Sequence, residues 1–267
     1  MEIGINNVYY RDKLININYK FDSGKVTSII GNSGAGKSLI GFIIMGLIRD
    51  YQGYISIDGK RDYDQYELLK SIGYVFQNPY DHFICKTVYE EVLYGLKQFK
   101  YKEDRQDKQV RDALKMVGLD SGYFNRDVSK LSSGEMERVA IASSLVMNPS
   151  VLILDEATIY LDSLGKSNLI KLIKMLRDKY KKTIIIMSND MDFVYAVSDN
   201  YVLMDKGKII RDGKIDDIRK QDRVLSSCDV SIPVIDNFVS YVKRYKNVDL
   251  SGVTSIDDIV SEVDISD

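Results

Sequence analysis

The chain has 267 residues and a nearly balanced charge, with 37 lysines and arginines against 39 aspartates and glutamates and a net charge of −2. This length gives room for one large domain or a domain with an appendage, and the balance excludes a basic field over the whole molecule, so we expect no nucleic-acid partner. The longest apolar runs hold about four or five residues, against the ~20 of a membrane-spanning helix, and the start MEIGINNV lacks the features of a signal peptide.

The first elements predicted along the chain are strands on either side of a glycine-rich turn. Residues 8–21 alternate apolar and polar side chains, which indicates antiparallel strands. KVTSIIG, residues 25–31, is typical of a buried strand that runs into a tight turn. LIGFIIMGLI, residues 39–48, is apolar on nearly every side and predicts a buried helix. YISIDGK, residues 54–60, predicts a strand that ends in an Asp-Gly turn.

The later elements alternate between helices and strands. Residues 86–118 have helical periodicity and end at Gly118, a typical helix terminator. Further predicted elements are a buried strand (VLILDE, 151–156), a helix (169–176), a buried strand (TIIIM, 183–187) and a hairpin at Lys206-Gly207. The alternation predicts an α/β fold with a mainly parallel core sheet, followed near Leu225 by a tail of different composition.

GNSGAGKS, residues 31–38, fits the phosphate-binding loop at every fixed position. Its glycines let backbone N–H groups point at phosphate oxygens, and the helix that follows adds its positive end. Lys37 would supply a cation and Ser38 a hydroxyl for Mg²⁺. A chance glycine loop is the alternative, and the attached Lys-Ser between a strand and a helix argues against it. The predicted nucleotide-binding residues are Gly31, Asn32, Ser33, Gly34, Ala35, Gly36, Lys37, Ser38 and Leu39.

VLILDE predicts that Asp155 and Glu156 lie at the tip of a buried strand, beside those phosphates. Asp155 could then hold Mg²⁺, and Glu156 could orient or polarise the attacking water. An ordinary strand-to-helix turn with acidic capping is the alternative, and it explains less once the phosphate loop is granted.

The order GNSGAGKS, YVFQNP, LSSGE, VLILDEAT, YLD resembles that of the ATPase subunits of ABC transporters, and in particular of energy-coupling factor (ECF) importers for vitamins and transition metals. The ECF resemblance rests on residues 75–96, on DEATIYLDSLGK and on the tail IPVIDNFVSYVKR…VTSIDDIVSEV. It implies an ABC-type nucleotide-binding domain over residues 1–224: a P-loop core with a parallel sheet, an N-terminal antiparallel part and a helical subdomain at about 80–148. Residues 225–267 would form a helical extension that pairs two ATPases. ATP and Mg²⁺ are the implied cofactors.

The same resemblance assigns roles to further residues. Gln77 would sense Mg²⁺, which gives a metal set of Ser38, Gln77 and Asp155. The signature segment, Ser132, Ser133, Gly134 and Glu135, would contact ATP bound to the other subunit, and Asp162 would be the D-loop acid at the dimer interface. Residues 78–83 and the helical region after them would receive the coupling helices of a transmembrane subunit. Tyr10 is the nearest candidate for stacking on adenine, although Tyr9 or neither is also possible.

The chain departs from the family pattern at three positions. Asn189 stands where the family has a histidine; it can hydrogen-bond a γ-phosphate but cannot carry a positive charge or shuttle a proton. Ser133 replaces a glycine and Glu135 a glutamine, and both changes should weaken closure on the partner's ATP. The histidine of the chain, His82, is interpreted as a polar surface residue without a catalytic role. We therefore expect this subunit to bind nucleotide but to hydrolyse it slowly, and we expect the partner's site to be weakened too.

The partners implied by the resemblance are a second ATPase subunit (a copy of this chain or a paralogue), a transmembrane coupling subunit and, indirectly, a substrate-binding membrane subunit. The protein would lie on the cytoplasmic face of the membrane, and its widely spaced Cys85 and Cys228 are consistent with reduced thiols. A regulatory ATP-binding subunit without useful hydrolysis is the first alternative. A soluble ABC protein acting on DNA or ribosomes is the second, disfavoured because no basic patch, coiled-coil insertion or second cassette is visible.

Overall fold

The computed structural model describes residues 1–228 and residue 230, apart from the side chains of residues 219–224. The strands are β1 (Ile3–Tyr10), β2 (Leu14–Phe21), β3 (Val26–Ile30), β4 (Gln52–Ile57), β5 (Ile72–Val75), β6 (Val151–Asp155), β7 (Thr183–Met187), β8 (Asn200–Asp205) and β9 (Lys208–Lys214). The helices are α1 (Lys37–Ile44), α2 (Gln65–Ser71), α3 (Val88–Gln98), α4 (Glu103–Met116), α5 (Ser133–Leu145), α6 (Ser163–Asp178), α7 (Met191–Val197) and α8 (Asp222–Ser227).

Two sheets build the core. A three-stranded antiparallel sheet has the order β2-β1-β4, and a six-stranded sheet has the order β5-β6-β7-β3-β8-β9. In the larger sheet every pair is parallel except β8 with β9, which form the predicted hairpin. The prediction of an α/β fold with a mainly parallel sheet and an antiparallel N-terminal part is therefore confirmed.

The strand order places three chemically important strand ends side by side. Within the sheet, β6, β7 and β3 are direct neighbours, and Met187 at the end of β7 is in register with both Asp155 of β6 and Ile29 of β3. All five residues of each of these strands are buried, which is why their sequences are continuous apolar runs with few exceptions. Ligands of open α/β sheets bind beyond the carboxyl ends of such strands.

The helix after the phosphate loop ends earlier than its sequence predicts. The expected helix over residues 39–48 stops at Ile44, so that prediction is wrong at its C-terminal end. Gly46 adopts φ +70°, and the N–H groups of Gly46 and Leu47 donate to the carbonyls of Ile43 and Phe42, which is the Schellman arrangement. Leu47 consequently leaves the core and is 60% exposed, because apolar character alone does not show where a glycine reverses the chain.

Three helices, α3 to α5, lie between β5 and β6 and share one apolar cluster with the facing side of the larger sheet. α4 ends at Met116 and Gly118 follows with φ +74°, as the sequence predicts. The proposed limits of the helical subdomain, about 80–148, remain a prediction.

The chain leaves the described region through a third apolar cluster. Leu225, Cys228 and Val230 are buried together with Ile30 of β3 and Tyr201 of β8. The predicted helical extension, residues 225–267, lies outside the described residues from residue 231 onward. Among the described residues, no helix combines the length and the apolar character needed to cross a bilayer.

Candidate nucleotide site

A cavity of about 700 Å³ opens at the carboxyl ends of β3, β6 and β7. All residues from Asn32 to Leu39 line it, together with Gln77, Glu156 and Asn189. The structure thus brings together residues that are up to 157 positions apart in the sequence and that were predicted separately. Asp155 lies beneath this lining, at the end of β6.

The phosphate loop has a backbone shape that side chains would prevent. Gly31, Gly34 and Gly36 have φ values of +150°, +82° and +99°. A Cβ at Gly31 would collide with the carbonyl of Met204, and one at Gly36 with the side chain of Leu14. The loop leads into α1, which has no acidic residue in its first turn. Its N-terminal end is therefore free to attract an anion.

Lys37 is a desolvated cation at the centre of the site, with a side chain only 7% exposed. Its Nζ donates to the carbonyl of Gly31 at 2.6 Å and to Oδ1 of Asn189 at 2.8 Å. Oε1 of Glu156 lies 3.4 Å away. Burial lowers the pKa of Lys37, and the nearby carboxylate of Glu156 opposes that shift. The ammonium group is held by acceptors that phosphate oxygens could replace.

Asp155 offers a carboxylate oxygen that suits a divalent cation. The residue is 2% exposed; its Oδ2 accepts a hydrogen bond from the Tyr74 hydroxyl at 3.0 Å, whereas its Oδ1 is buried and has no partner among the described residues. Burial raises the pKa of Asp155, and the nearby hydroxyls of Ser38 and Tyr74 together with the charge of Lys37 oppose the shift. A buried, unpaired carboxylate oxygen beside a serine hydroxyl matches the oxygen ligands that Mg²⁺ prefers, so the residues fit this ion.

Glu156 is oriented by a strained backbone. It follows β6 with φ +53°, a value rare for a residue with a side chain, and its N–H donates to the carbonyl of Met187 at 2.8 Å. The N–H of Asn189 lies 3.4 Å from its Oε2. Burial raises the pKa of Glu156, and the charge of Lys37 opposes the shift. The carboxylate is thereby directed into the cavity, where it could accept a hydrogen bond from water.

Asn189 lies inside the site although it is not a histidine. β7 ends at Met187, and Asn189 projects its amide oxygen to Lys37. The facing atom must be the oxygen, because an ammonium group only donates. The following residue, Asp190, caps α7 through the N–H of Phe193 and pairs with Lys166 at 2.6 Å. Asn189 and Asp190 are therefore held in place by contacts with the phosphate loop, with α6 and with α7.

Gln77 is exposed at the cavity edge, on a loop that His82 anchors. Nε2 of His82 accepts a hydrogen bond from the N–H of Phe76 at 3.1 Å, and burial lowers the pKa of His82 to about 4. A neutral imidazole is required for this contact. The expectation that His82 is merely a polar surface residue is therefore wrong: its ring packs edge-on against Phe76 and fixes the backbone next to Gln77.

Some predicted site residues do not line this cavity. Tyr10, the last residue of β1, is half-buried against an apolar cluster, and the guanidinium of Arg11 lies 5.1 Å from its ring centre. Asp162 caps α6 by accepting from the N–H of Gly165 at 2.7 Å. The signature residues form the start of α5 and face elsewhere. Because the roles predicted for Asp162 and the signature need a second subunit, they remain predictions.

The signature segment satisfies its charged residue locally. Ser132 and Glu135 form a capping box at the start of α5. Oε1 of Glu135 also accepts from the Tyr123 hydroxyl at 2.9 Å and lies 3.4 Å from the Arg126 guanidinium. The hydrogen bond from the Ser132 backbone holds the pKa of Glu135 below its usual value. The negative charge is thus balanced within the chain.

Sequence reasoning missed further residues of the cavity wall: Lys13, Thr158, Ile159, Leu161, Lys166 and Asp190. Thr158 ends the DEAT segment, Ile159 and Leu161 follow it closely, and all three could have been inferred from it. Lys13 lies in the turn between β1 and β2 and carried no signal, because its place depends on packing between the two sheets.

Comparison with known proteins supports the chemistry read from this geometry. The profile of the family described as ABC transporter matches residues 14–159, which is more than half of the chain. The energy-coupling factor transporter ATP-binding protein EcfA1 of Ligilactobacillus salivarius is 35% identical over 89% of this chain and 84% of its own length. The corresponding EcfA protein of Methanocaldococcus jannaschii is 34% identical over 91% of this chain and 88% of its own length.

Solved structures of ABC cassettes resemble this chain as well. CbiO1 of Clostridium perfringens, described as part of the ABC transporter complex cbiONQ, is 33% identical with a TM-score of 0.75, over 89% of this chain and 98% of its own. The cassette MJ0796, solved as a dimer with ADP and Pi, is 28% identical with a TM-score of 0.72, over 80% of this chain and 98% of its own. The chain belongs to the ABC transporter family, is an ATPase of that family, and within it is similar to the energy-coupling factor ATP-binding proteins.

Proposed function

We propose that this chain binds MgATP in the cavity and that the ATPase powers an importer of the energy-coupling factor type. The observation that carries the proposal is the meeting of Lys37, Glu156 and Asn189 within 3.4 Å of one another, above the unpaired oxygen of Asp155. Their arrangement provides a phosphate cation, a water-directing carboxylate and a metal ligand at one strand edge.

Each group has a defined task in this proposal. The amides of the phosphate loop and Lys37 bind the β- and γ-phosphates. Ser38, Asp155 and Gln77 hold Mg²⁺, which neutralises phosphate charge when bound. Glu156 orients water towards the γ-phosphate, and Asn189 donates a hydrogen bond to it through its amide nitrogen. Tyr10 is retained as the proposed stacking partner of adenine, although it lies outside the cavity lining.

A second ATPase subunit completes the site. Ser132, Ser133, Gly134 and Glu135 of one subunit would face the ATP of the other, with Asp162 at the interface. The similarity to a cassette solved as a dimer supports this arrangement. We retain the division into a catalytic domain, residues 1–224, and a dimerisation element, residues 225–267, as part of the proposal.

The loop after Gln77 has the surface expected of a membrane-coupling site. Tyr80 and Ile84 are 63% and 70% exposed, although both are large and apolar. Exposed apolar side chains next to a site residue favour a protein partner. We therefore propose that this loop receives a transmembrane subunit at the cytoplasmic face of the membrane, and that a separate membrane subunit selects the vitamin or metal ion.

Own-site hydrolysis is proposed to be slow. Asn189 cannot supply the positive charge or the proton transfer that a histidine could. Ser133 adds a side chain where the family has glycine, and because the signature would face the partner's ATP, we expect the partner's site to be weakened as well. The local pairing of Glu135 with Ser132, Tyr123 and Arg126 reduces the repulsion that its charge would otherwise cause.

ATP hydrolysis by the purified chain tests this proposal, with the wild type measured beside Asn189→His and Glu156→Gln. We expect slow turnover in the wild type, faster turnover in Asn189→His and none in Glu156→Gln. Rapid wild-type turnover that only Glu156→Gln stops would show that Asn189 suffices and that the site is fully active.

A regulatory ATP-binding subunit remains the second candidate, and Asn189 is the observation that favours it. Equilibrium binding of MgATP combined with hydrolytic silence of the assembled complex, also after Asn189→His, would select it. Loss of transport after Glu156→Gln in this subunit alone would exclude it.

The membrane partner can be tested separately by co-purification with a candidate transmembrane subunit. Tyr80→Asp should abolish association and leave ATP binding unchanged. Leu47→Asp is the matched control, because Leu47 is also apolar and 60% exposed but lies away from this loop. Equal loss of association in both variants would contradict the assignment.

A further inference from the structure

We propose that Tyr74 is a positioning residue for Asp155: its hydroxyl holds the carboxylate by Oδ2, so that Oδ1 would remain available to a divalent cation. The inference rests on the proposed binding of MgATP and adds a residue to it. Tyr74 lies on β5, the neighbour of β6, and is 5% exposed. Its hydroxyl donates to Oδ2 of Asp155 at 3.0 Å, while Oδ1 is left without a partner.

This hydrogen bond distinguishes the two oxygens of Asp155. A hydroxyl has one proton to donate, so Tyr74 can satisfy one carboxylate oxygen and leaves the other available. A carboxylate is otherwise free to rotate about its terminal bond, which is a broad torsion. A tyrosine hydroxyl ordinarily carries its proton at physiological pH, so the donor is present.

A glycine in α1 provides an independent observation. A Cβ at Gly41 would lie 2.8 Å from Cε2 of Tyr74, 3.0 Å from its hydroxyl oxygen and 2.8 Å from Cε of Met187. Glycine inside a helix costs about 1 kcal/mol relative to alanine. The missing side chain makes room for the Tyr74 ring, one turn along α1 from Ser38.

Neighbouring aromatic rings hold Tyr74 in this place. The ring centre of Phe76 lies 4.7 Å from that of Tyr74, and the ring centre of Phe42 lies 5.9 Å away. Contacts at these separations limit the freedom of the ring. The hydroxyl therefore reaches Asp155 from a fixed direction, as an outer-shell partner of a metal ligand does.

Metal binding in the presence of nucleotide tests the inference in the full chain. Mn²⁺ is the probe, measured by electron paramagnetic resonance with ADP, and the variant is Tyr74→Phe. We expect Mn²⁺ affinity to fall about tenfold, with ADP affinity in EDTA unchanged and the Mg²⁺ requirement for hydrolysis shifted by a similar factor. Tyr63→Phe, at a half-buried tyrosine away from Asp155, should leave all three unchanged.

Gly41→Ala supplies a second approach to the same contact. It should weaken Mn²⁺ binding by displacing the Tyr74 ring, and the double variant Gly41→Ala/Tyr74→Phe should bind Mn²⁺ no more weakly than the weaker of the two single variants. Unchanged Mn²⁺ affinity in Tyr74→Phe would overturn the inference and leave the proposed function intact. A wild-type chain that binds no Mn²⁺ with nucleotide would overturn both.

Discussion

The phosphate loop and the signature segment tolerate sequence change in opposite ways. In the phosphate loop, backbone meets backbone: Gly31 lies against the carbonyl of Met204, and no side chain fits there. At the start of α5, the carboxylate of the unusual Glu135 accepts hydrogen bonds from Ser132 and Tyr123 and pairs with Arg126 at a partly exposed surface. Packing of the backbone fixes the phosphate loop, whereas hydrogen bonds and an ion pair from side chains hold Glu135 in the signature segment. A departure from the family pattern should therefore cost more in the phosphate loop than in the signature segment.

The largest effect that this comparison predicts is that of Gly31→Ala. The new methyl group must displace the backbone of β8, so we expect a loss of about 3 kcal/mol in the free energy of unfolding and a loss of MgATP binding. Urea denaturation and nucleotide titration measure both. Gly34→Ala is the control, because Gly34 also has positive φ but open space around it, and it should cost about 1 kcal/mol. Equal costs would contradict the packing argument.

A second effect concerns the buried part of the signature helix. Glu137 is 0% exposed, neither of its carboxylate oxygens has a partner among the described residues, and burial raises its pKa to about 8. In the unfolded chain the Glu137 carboxyl ionises near pH 4.5, whereas in the folded chain it keeps its proton up to about pH 8. The stabilising contribution of this raised pKa is therefore complete below pH 4.5 and is lost as the pH rises towards 8. Glu137→Gln should therefore gain stability relative to the wild type at pH 8, on the order of 2 kcal/mol.

Urea denaturation at pH 5 and pH 8 checks this prediction. Glu135→Gln is the matched control on the same helix. The pKa of Glu135 is lowered, so its contribution is present above its unfolded pKa and is lost as the pH falls. If the free energy of unfolding changed with pH equally in the wild type and in Glu137→Gln, Glu137 would not have a raised pKa in the folded chain.

A third, smaller effect concerns the anchor next to Gln77. His82→Leu leaves the N–H of Phe76 without its acceptor, so we expect a loss of about 1–2 kcal/mol in stability and faster amide exchange in residues 76–84. His82→Gln retains an acceptor oxygen and should lose less. Similar exchange rates in the two variants would rule out the acceptor as the reason that the loop is fixed.

The smallest expected effect is that of Glu135→Gln on hydrolysis. Since the charge of Glu135 is already paired within its own chain, its removal should change turnover of the assembled complex less than about threefold, which corresponds to about 0.7 kcal/mol. Steady-state hydrolysis is the measurement. A tenfold rise would show that the charge reaches the partner's nucleotide after all.

Much of the site was predictable because its signals are local. The phosphate loop combines glycines, lysine and serine within eight residues, and VLILDE places Asp155 at the end of a buried strand. What sequence reasoning missed depends on distant contacts. Tyr74 resembles any strand tyrosine until its neighbour β6 is known, and Lys166 acquires a partner only when α6 meets Asp190. The apolar character of residues 39–48 likewise gave no sign that the chain reverses at Gly46 and ends the helix.

The burial of Leu225, Cys228 and Val230 against Ile30 sets a practical limit on how the chain can be divided. A fragment that ends at residue 224 would uncover the apolar side of the strand that leads into the phosphate loop. In such a fragment, a loss of dimerisation could not be distinguished from damage to the nucleotide site. Deletions meant to isolate the C-terminal extension should therefore begin after Val230, where the cut leaves this cluster complete.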